Sequence, residues 1–273
     1  MRVYKVLPDL AKTRHMKIWH KALRSQWSAA DLDWSKPQRI TSSRLKDQLG
    51  RMLTPILMGE QAALYSVSGL IPVLGARSEV ESQLYLTTWA VDEGRHTELF
   101  ARFYHRIGRE PLSIRRFPSA YLFQSRIVST EPAEWLAGVL VSEVLAKQVM
   151  EEFVRLDLDP LLSEIADGIL VDEARHLGFN HIYLEDRFGE LFRDDAEVAG
   201  AYSQRLRGRL REVLALVPPM FAALSSELSE IGIDVEGILH RLGEEAMERL
   251  DNSMLAGRRS AKRDLAGGLS PGS

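Results

Sequence analysis

Two copies of one five-residue motif carry the residues best suited to chemistry. The copies are Asp-Glu-Gly-Arg-His at 92–96 and Asp-Glu-Ala-Arg-His at 172–176. In each copy a Glu precedes a His by three residues, close to one helical turn, so both side chains leave the same helix face. A carboxylate and an imidazole on one face are typical ligands of a transition-metal ion. The repeat therefore predicts two equivalent metal half-sites.

Each copy of the motif is preceded by a further glutamate at a similar interval. Glu60 lies 33 residues before Glu93, and Glu143 lies 30 residues before Glu173. Both lie among apolar residues, where a carboxylate without a partner is costly or becomes protonated. Two metal ions remove this cost, because the carboxylates neutralise most of their charge. The predicted metal ligands are Glu60, Glu93, His96, Glu143, Glu173 and His176.

The ligand types indicate which metals the site takes. Oxygen-rich ligation with one nitrogen per metal suits iron or manganese better than structural zinc. The predicted cofactor is two Fe ions, with Mn/Fe as the alternative. Six ligands leave open positions for O2, water or a substrate, and no catalytic residue is predicted beyond the ligands. His181 follows His176 by five residues, and a metal role for His181 stays open.

The hydrophobic periodicity is helical nearly throughout, which predicts an all-α fold. Each of four long predicted helices carries one part of the ligand set, and a segment with two prolines separates the second helix from the third. This order predicts a four-helix bundle with one long crossover. The predicted helices span about 41–70, 78–107, 130–156 and 161–188, and the crossover spans 109–129 with little regular structure.

Further helices are predicted on both sides of the bundle. Short amphipathic helices are expected within 5–28, and additional helices within 195–255. No linker divides the chain, so residues 1–255 are predicted to form a single helical domain around the bundle core at 41–188. The Gly- and Pro-containing tail at 256–273 is predicted to be disordered.

Composition excludes several classes of protein. The net charge of −3 over 273 residues does not suit a nucleic-acid-binding protein. The absence of cysteine excludes disulfides and thiolate-ligated zinc or iron–sulfur sites. No stretch approaches the roughly 20 uninterrupted apolar residues of a membrane span, and the N-terminus lacks the apolar region of a signal peptide. We expect a cytoplasmic protein without nucleic-acid or membrane partners.

These motifs resemble the ferritin-like di-iron carboxylate superfamily, whose bundle supplies one Glu from each of two helices and Glu-x-x-His from the other two. The resemblance covers roughly 41–188. It implies that Asp172 hydrogen-bonds His96 and that Asp92 hydrogen-bonds His176, so that both imidazoles are oriented. It also implies that Arg95 and Arg175 pair with these aspartates.

Two positions distinguish branches of the superfamily. Ribonucleotide reductase small subunits normally carry a radical-forming Tyr where this chain has Phe100, four residues after His96. N-oxygenases carry an extra His where this chain has Ile169. The complete double motif resembles the oxidising branch, which includes desaturases, monooxygenase hydroxylase subunits and N-oxygenases. The resemblance implies an O2-activating di-iron oxidase or oxygenase that hydroxylates, desaturates or N-oxygenates a small organic or acyl substrate.

Two other functions stay open at this point. One is a ferroxidase or metal-handling protein, which would show a carboxylate-lined entry channel. The other is a radical or assembly subunit like the small subunit of ribonucleotide reductase. A large apolar pocket beside the metals would favour the oxygenase. Electrons would come from a ferredoxin or reductase, and a homodimer is a family-level expectation. Five small residues near the ligands either leave room for a substrate or permit close helix packing: Gly59, Ala62, Ala63, Gly138 and Ala146.

Overall fold

The computed structural model describes residues 14–267, together with residues 7 and 10. Secondary structure in this part of the chain is helical, which confirms the predicted all-α class. The helices are α1 (Arg14–Arg24), α2 (Ser43–Ala76), α3 (Val80–Ile107), α4 (Pro118–Ile127), α5 (Pro132–Leu156), α6 (Pro160–Asp194), α7 (Ala196–Leu214), α8 (Val217–Ala222), α9 (Ser225–Ile231) and α10 (Val235–Gly267).

The bundle consists of two helix pairs. Helix α2 packs along α3, and α5 packs along α6, each pair being joined by a short connection. Helix α4 lies in the long crossover between the pairs. Helix α1 covers α3 and α6, whereas α7 and α10 cover α5 and α6. The predicted bundle with extra N- and C-terminal helices is therefore confirmed.

Side-chain capping explains where most of the bundle helices begin. The Ser42 hydroxyl accepts a hydrogen bond from the Leu45 N–H at the start of α2. Asp159 caps α6 in the same way, with Pro160 in the first turn. Helix α3 was expected to begin near residue 78, but it begins after Glu79 without a side-chain cap, and Ser78 has φ 64°.

Two helices continue past their predicted ends. Helix α2 runs through Pro72 to Ala76, and α6 runs through Gly189 to Asp194. Gly189 lies where α10 crosses α6, since a Cβ atom on Gly189 would lie 3.2 Å from the Gly257 carbonyl oxygen. Gly189, which directly follows the predicted end of α6, permits this close approach.

The C-terminal segment also differs from its prediction. Helix α10 extends to Gly267, so residues 256–267 are helical rather than disordered. Packing against α6 supplies the reason, because Met254 and Ala261 of α10 are buried. Residues 268–273 of the predicted tail lie outside the described residues.

The crossover is more regular than predicted. It contains a short 3-10 turn at Ile114–Arg116 and helix α4. Phe123 and Ile127 of α4 are buried, so one face of this helix anchors it to the bundle. Gly138 of α5 permits the contact, since a Cβ atom there would lie 3.0 Å from the Ile127 carbonyl oxygen. Close packing is therefore the role of Gly138.

Among the described helices, α2 alone is long and apolar enough to cross a membrane, judged by length and composition. This criterion is weak, because core helices of soluble proteins also meet it. Helix α2 packs along α3 and carries the buried Glu60. Its position in the bundle accounts for its apolar composition.

Two apolar clusters lie on either side of the polar centre of the bundle. Trp89 and Phe179 belong to one cluster, and Phe100 and Ile169 belong to the other. On α3 and on α6, the ligand motif lies between the residues of the two clusters. The polar centre is therefore enclosed within the bundle, where charged groups need partners.

Candidate metal centre

The structure brings the six predicted ligands together in the centre of the bundle. Helices α2 and α5 each supply one glutamate, and α3 and α6 each supply a Glu and a His. The exposed fraction ranges from 0% for His96 and His176 to 6% for Glu60. Each helix thus contributes the part of the site that the sequence predicts.

The site is built from two matching halves. The Nδ1 atom of His96 lies 3.2 Å from Oε2 of Glu60. In the other half, Nδ1 of His176 lies 3.0 Å from Oε2 of Glu143. The two imidazole ring centres are 6.3 Å apart. The doubled sequence motif therefore corresponds to a doubled geometry.

Glu93 and Glu173 lie between these halves. The oxygens of Glu93 lie 3.7 Å from Nδ1 of His96 and 3.7 Å from Nδ1 of His176. Glu173 places its oxygens 4.0 Å and 3.5 Å from the same two nitrogens. Each carboxylate therefore presents one oxygen to each half, which suits a ligand shared by two metal ions.

The donor atoms fit a pair of metal ions. Ligand atoms of Glu60, Glu93 and His96 lie within 4.8 Å of one another, as do those of Glu93, Glu143 and His176. Oε2 of Glu173 is buried without a hydrogen-bond partner, although a buried carboxylate oxygen normally has one. A cation between the halves would supply this missing partner. The described residues therefore form a site that can hold two metal ions.

The protonation of the cluster supports the same conclusion. Burial raises the pKa of Glu60 to about 7 and the pKa of Glu143 to about 8. Burial, together with the charge of Glu143, also raises the pKa of Glu173 well above its ordinary value. Without metal ions these carboxylates hold protons near neutral pH. Two divalent cations would replace the protons as the compensating charge.

The outer nitrogen of each histidine bonds an aspartate from the opposite motif. Nε2 of His96 lies 3.1 Å from Asp172, and Nε2 of His176 lies 3.2 Å from Asp92. When each Nε2–H donates to its aspartate, the Nδ1 lone pair faces the carboxylates and is free to bind a metal. The structure thus shows the cross-bonding that the resemblance implies.

Arg95 and Arg175 join the two aspartates into one network. The Arg95 guanidinium donates to Asp92 and, over 2.7 Å, to Asp172. Arg175 likewise donates to Asp172 and, over 2.9 Å, to Asp92. His96 bonds Asp172 and holds its pKa at about 2, against the opposing effect of burial. Both aspartates stay ionised and fix the histidine orientation.

Three further residues support the site and were not predicted. Trp27 donates to Asp172 over 3.0 Å, and Gln26 donates to Asp92 over 3.0 Å. The Trp89 indole N–H donates to Glu93 over 2.7 Å, and its ring stacks on His176 with centroids 4.4 Å apart. Trp89 precedes Glu93 by four residues, about one helical turn, so the sequence spacing could have predicted their contact. Gln26 and Trp27 follow α1 and lie far in sequence from the aspartates that they contact, so no spacing predicts these two hydrogen bonds.

Three other positions lie outside the ligand cluster. His181 bonds Ser253 over 2.8 Å and faces Glu185, so the structure places it away from the metal site. Phe100 and Ile169 are fully buried in the second apolar cluster. The chain therefore has an apolar side chain where related enzymes carry a radical Tyr or an extra His.

A cavity of about 530 Å³ adjoins the cluster. All four cluster glutamates line it, and the rest of its wall is mainly apolar. Gly59, Ala62, Ala63 and Ala146 also line the cavity, so these small residues leave space beside the ligands, whereas Gly138 does not. The apolar pocket that favours an oxygenase is present.

One family model matches this chain. It is described as p-aminobenzoate N-oxygenase AurF and matches residues 72–217, just over half of the chain. The matched segment contains both Glu-x-x-His motifs and Glu143, whereas Glu60 lies before it.

Solved structures of an R2-like ligand-binding oxidase share the fold. One, with an aerobically reconstituted metal cofactor after photoconversion, gives a TM-score of 0.70 at 18% identity over 89% of this chain and 94% of the other. A variant with an anaerobically reconstituted Mn/Fe cofactor gives 0.66 at 19% identity, with the same coverage. Together with the geometry, these findings show a di-metal oxidoreductase of the ferritin-like class.

Proposed function

This chain belongs to the p-aminobenzoate N-oxygenase AurF family, and we propose that it N-oxygenates an apolar organic amine. The reaction would insert one oxygen atom of O2 into the N–H bond of the amine. Two electrons and two protons would reduce the other oxygen atom to water. The substrate class and the reaction are the proposal, whereas the di-iron oxygenase or oxidase class is already established.

The cavity beside the four glutamates carries this proposal. A substrate in the cavity would place its reacting atom at the carboxylate end and its apolar body against residues such as Ile56, Phe123 and Leu145. Apolar walls bury an organic molecule favourably and exclude water from the reacting atom. Small residues at Ala62 and Ala146 leave the required space.

Bound iron ions would supply O2 reduction, and the protein would supply the remaining requirements. Glu60, Glu93, Glu143 and Glu173 would hold the ions with the two histidines. Asp92 and Asp172 keep each histidine in the orientation that ligation needs. The Trp89 N–H bonds Glu93 and restricts its carboxylate.

The other two functions receive less support. A ferroxidase needs a path that attracts Fe(II), but the carboxylates that line the cavity are confined to the cluster itself. A tyrosyl-radical subunit needs an oxidisable ring after His96, and this position is Phe100. The lining of the cavity therefore does not favour a ferroxidase, and Phe100 does not favour a tyrosyl-radical subunit.

Hydroxylation of a C–H bond is the second candidate reaction. The observation that favours it is Ile169, which is fully buried and apolar. N-oxygenases of the superfamily carry an additional histidine at this position. A site with six protein ligands resembles that of C–H oxidising relatives. In this second candidate reaction, the substrate in the cavity would be an apolar molecule without an amine.

We also propose that a ferredoxin or reductase supplies the electrons, because the chain shows no flavin, nicotinamide or iron–sulfur motif. The cytoplasmic location remains a proposal. The lack of cysteine is compatible with it.

Oxidation of candidate substrates by iron-loaded protein tests the proposed function. An apolar primary arylamine, O2 and a chemical reductant should give the N-hydroxylated product, with one ¹⁸O atom derived from ¹⁸O2. Ala146→Leu should reduce turnover at least tenfold by filling the cavity, at unchanged metal content. Ala201→Leu, at an exposed position on α7, is the matched control.

Oxidation of an aromatic carbon instead of the nitrogen would support C–H hydroxylation, the second candidate reaction. If no ¹⁸O were transferred to any apolar substrate, the proposed function would be contradicted.

A further inference from the structure

The exposed residues among those that line the cavity mark where it opens. Tyr65 is 76% exposed, Tyr121 is 62% exposed and Ile114 is 49% exposed. These residues come from α2, from α4 and from the 3-10 turn before α4. The cavity therefore connects the buried glutamates to an opening between α2 and the crossover.

Bulky apolar side chains lie at this opening and beside it. Leu122, next to Tyr121, is 54% exposed, and Val128, which also lines the cavity, is 41% exposed. We define the mouth surface as Tyr65, Ile114, Tyr121, Leu122 and Val128. Single exposed apolar residues are ordinary, but a group around a cavity entrance indicates a contact with an apolar partner or phase.

The crossover segment that carries most of the mouth surface is positively charged, with the exposed Glu110 directly before it and the partly buried Glu131 directly after it. Residues 111–130 contain Arg115, Arg116 and Arg126 and no Asp or Glu. All three arginines are exposed, and none has an ion-pair partner within the described residues. Nearby arginines differ, since Arg109 pairs with Asp47 and Arg205 pairs with Glu134. The segment beside the opening therefore combines exposed apolar side chains with three exposed arginines that lack an ion-pair partner among the described residues.

We propose that the mouth surface docks on an anionic lipid surface. Unpaired arginines beside exposed Tyr, Leu and Ile side chains match the two components of peripheral membrane binding, which are attraction to anionic headgroups and shallow insertion of apolar groups. Tyrosine also favours the membrane–water interface because its ring is apolar and its hydroxyl is polar. This proposal departs from the expectation of no membrane partner. That expectation rested on the absence of a membrane-spanning stretch, which surface docking does not need.

The cavity behind the mouth surface favours lipid over an acidic protein as the partner. Its wall is mainly apolar from the opening to the glutamates. A molecule that enters by this route comes most easily from an apolar phase, where an apolar substrate is concentrated. Delivery of substrate from the bilayer rests on the proposed function, whereas docking itself does not.

Vesicle flotation of the full chain tests the docking surface. The protein should float with phosphatidylcholine–phosphatidylglycerol vesicles and not with phosphatidylcholine vesicles, and high salt should weaken binding. Arg115→Gln with Arg116→Gln should weaken binding about fivefold per arginine. Leu122→Ser should also weaken it at low salt, because an inserted apolar group is lost.

Matched controls lie on α10, away from the mouth surface. Arg259→Gln with Arg263→Gln, and Leu255→Ser, change exposed residues of the same types and should leave flotation unchanged. Equal flotation with both vesicle types, equal loss in the controls, or binding to an acidic protein without vesicle binding would overturn the proposal. Vesicle binding without any substrate oxidation would contradict the proposed function alone, and the reverse result would contradict the docking surface alone.

Discussion

At the scale of single residues, the site depends on two histidines, and each of them has a contact at both ring nitrogens. Nδ1 faces the glutamates, and Nε2 bonds an aspartate from the opposite motif. The pairing of Glu93 with His96, and of Glu173 with His176, was predictable because a three-residue spacing fixes a shared helix face whatever the tertiary structure. Gln26 and Trp27 were not predictable, because they reach the aspartates through a contact between segments far apart in sequence.

Removal of one aspartate charge should weaken metal binding. Asp172→Asn alters the hydrogen bond that orients His96 and leaves Arg95 and Arg175 less well neutralised. We expect the affinity for Fe(II) to fall roughly 10- to 100-fold, measured by anaerobic titration. Asp167→Asn, at an exposed position one and a half turns earlier on α6, is the control. An unchanged affinity in Asp172→Asn would show that the aspartate does not orient the ligand.

At the scale of elements, helix ends were the least predictable feature. Ser42 and Asp159 mark helix starts because capping is local. Gly189 and Pro72 resemble helix stops, yet both helices continue, because packing between helices outweighs local propensity. The crossing of α6 and α10 is the clearest case, since it requires a glycine on each helix.

Substitution at this crossing should destabilise the protein. A Cβ atom on Gly257 would lie 2.4 Å from the Glu185 carbonyl oxygen, so α10 must shift away from α6. We expect Gly257→Ala to lower the free energy of unfolding by about 1–3 kcal/mol, measured by urea denaturation.

Gly208→Ala on α7 is the matched control. A Cβ atom there meets nothing within 4 Å, so the substitution should raise stability by about 0.5–1 kcal/mol through helix propensity. If both variants were equally stable, close packing at the α6–α10 crossing would not be required.

At the scale of the whole molecule, the bundle encloses a charged cluster between two apolar clusters, and an apolar cavity connects this cluster to the surface. The sequence predicted the bundle and which helix carries each candidate ligand, since both follow from helical periodicity. It did not predict the cavity opening, because α4 was expected to be irregular and its exposed residues had no assigned position.

The stability of metal-free protein should fall as pH rises. The folded-state pKa values of Glu60, about 7, and Glu143, about 8, exceed the ordinary value of 4.5, and that of His176, about 9, exceeds 6.5. For a raised pKa, the stabilising contribution is complete below the unfolded-state value and is lost as pH rises through the folded-state value. We therefore expect the thermal midpoint of chelator-treated protein to decrease between about pH 5 and about pH 9.

Iron-loaded protein should show a smaller decrease over this range, because the metal ions replace the protons that the free carboxylates lose. Strongly acidic pH should lower the stability of both the metal-free and the iron-loaded protein. Asp172 has a lowered pKa of about 2, so its stabilising contribution is lost as pH falls through that value. A metal-free midpoint that rises from neutral to alkaline pH would contradict this account of the cluster.

The central claim is that the two motifs and their two preceding glutamates bind a pair of metal ions. Metal analysis after anaerobic Fe(II) reconstitution tests it most directly. We predict two ions per chain in the native protein, loss of at least one ion in His96→Ala and in Glu173→Ala, and retention of both in Glu151→Ala, whose carboxylate lies on α5 outside the cluster. A native stoichiometry well below two, or retention of both ions in His96→Ala and Glu173→Ala, would contradict the claim.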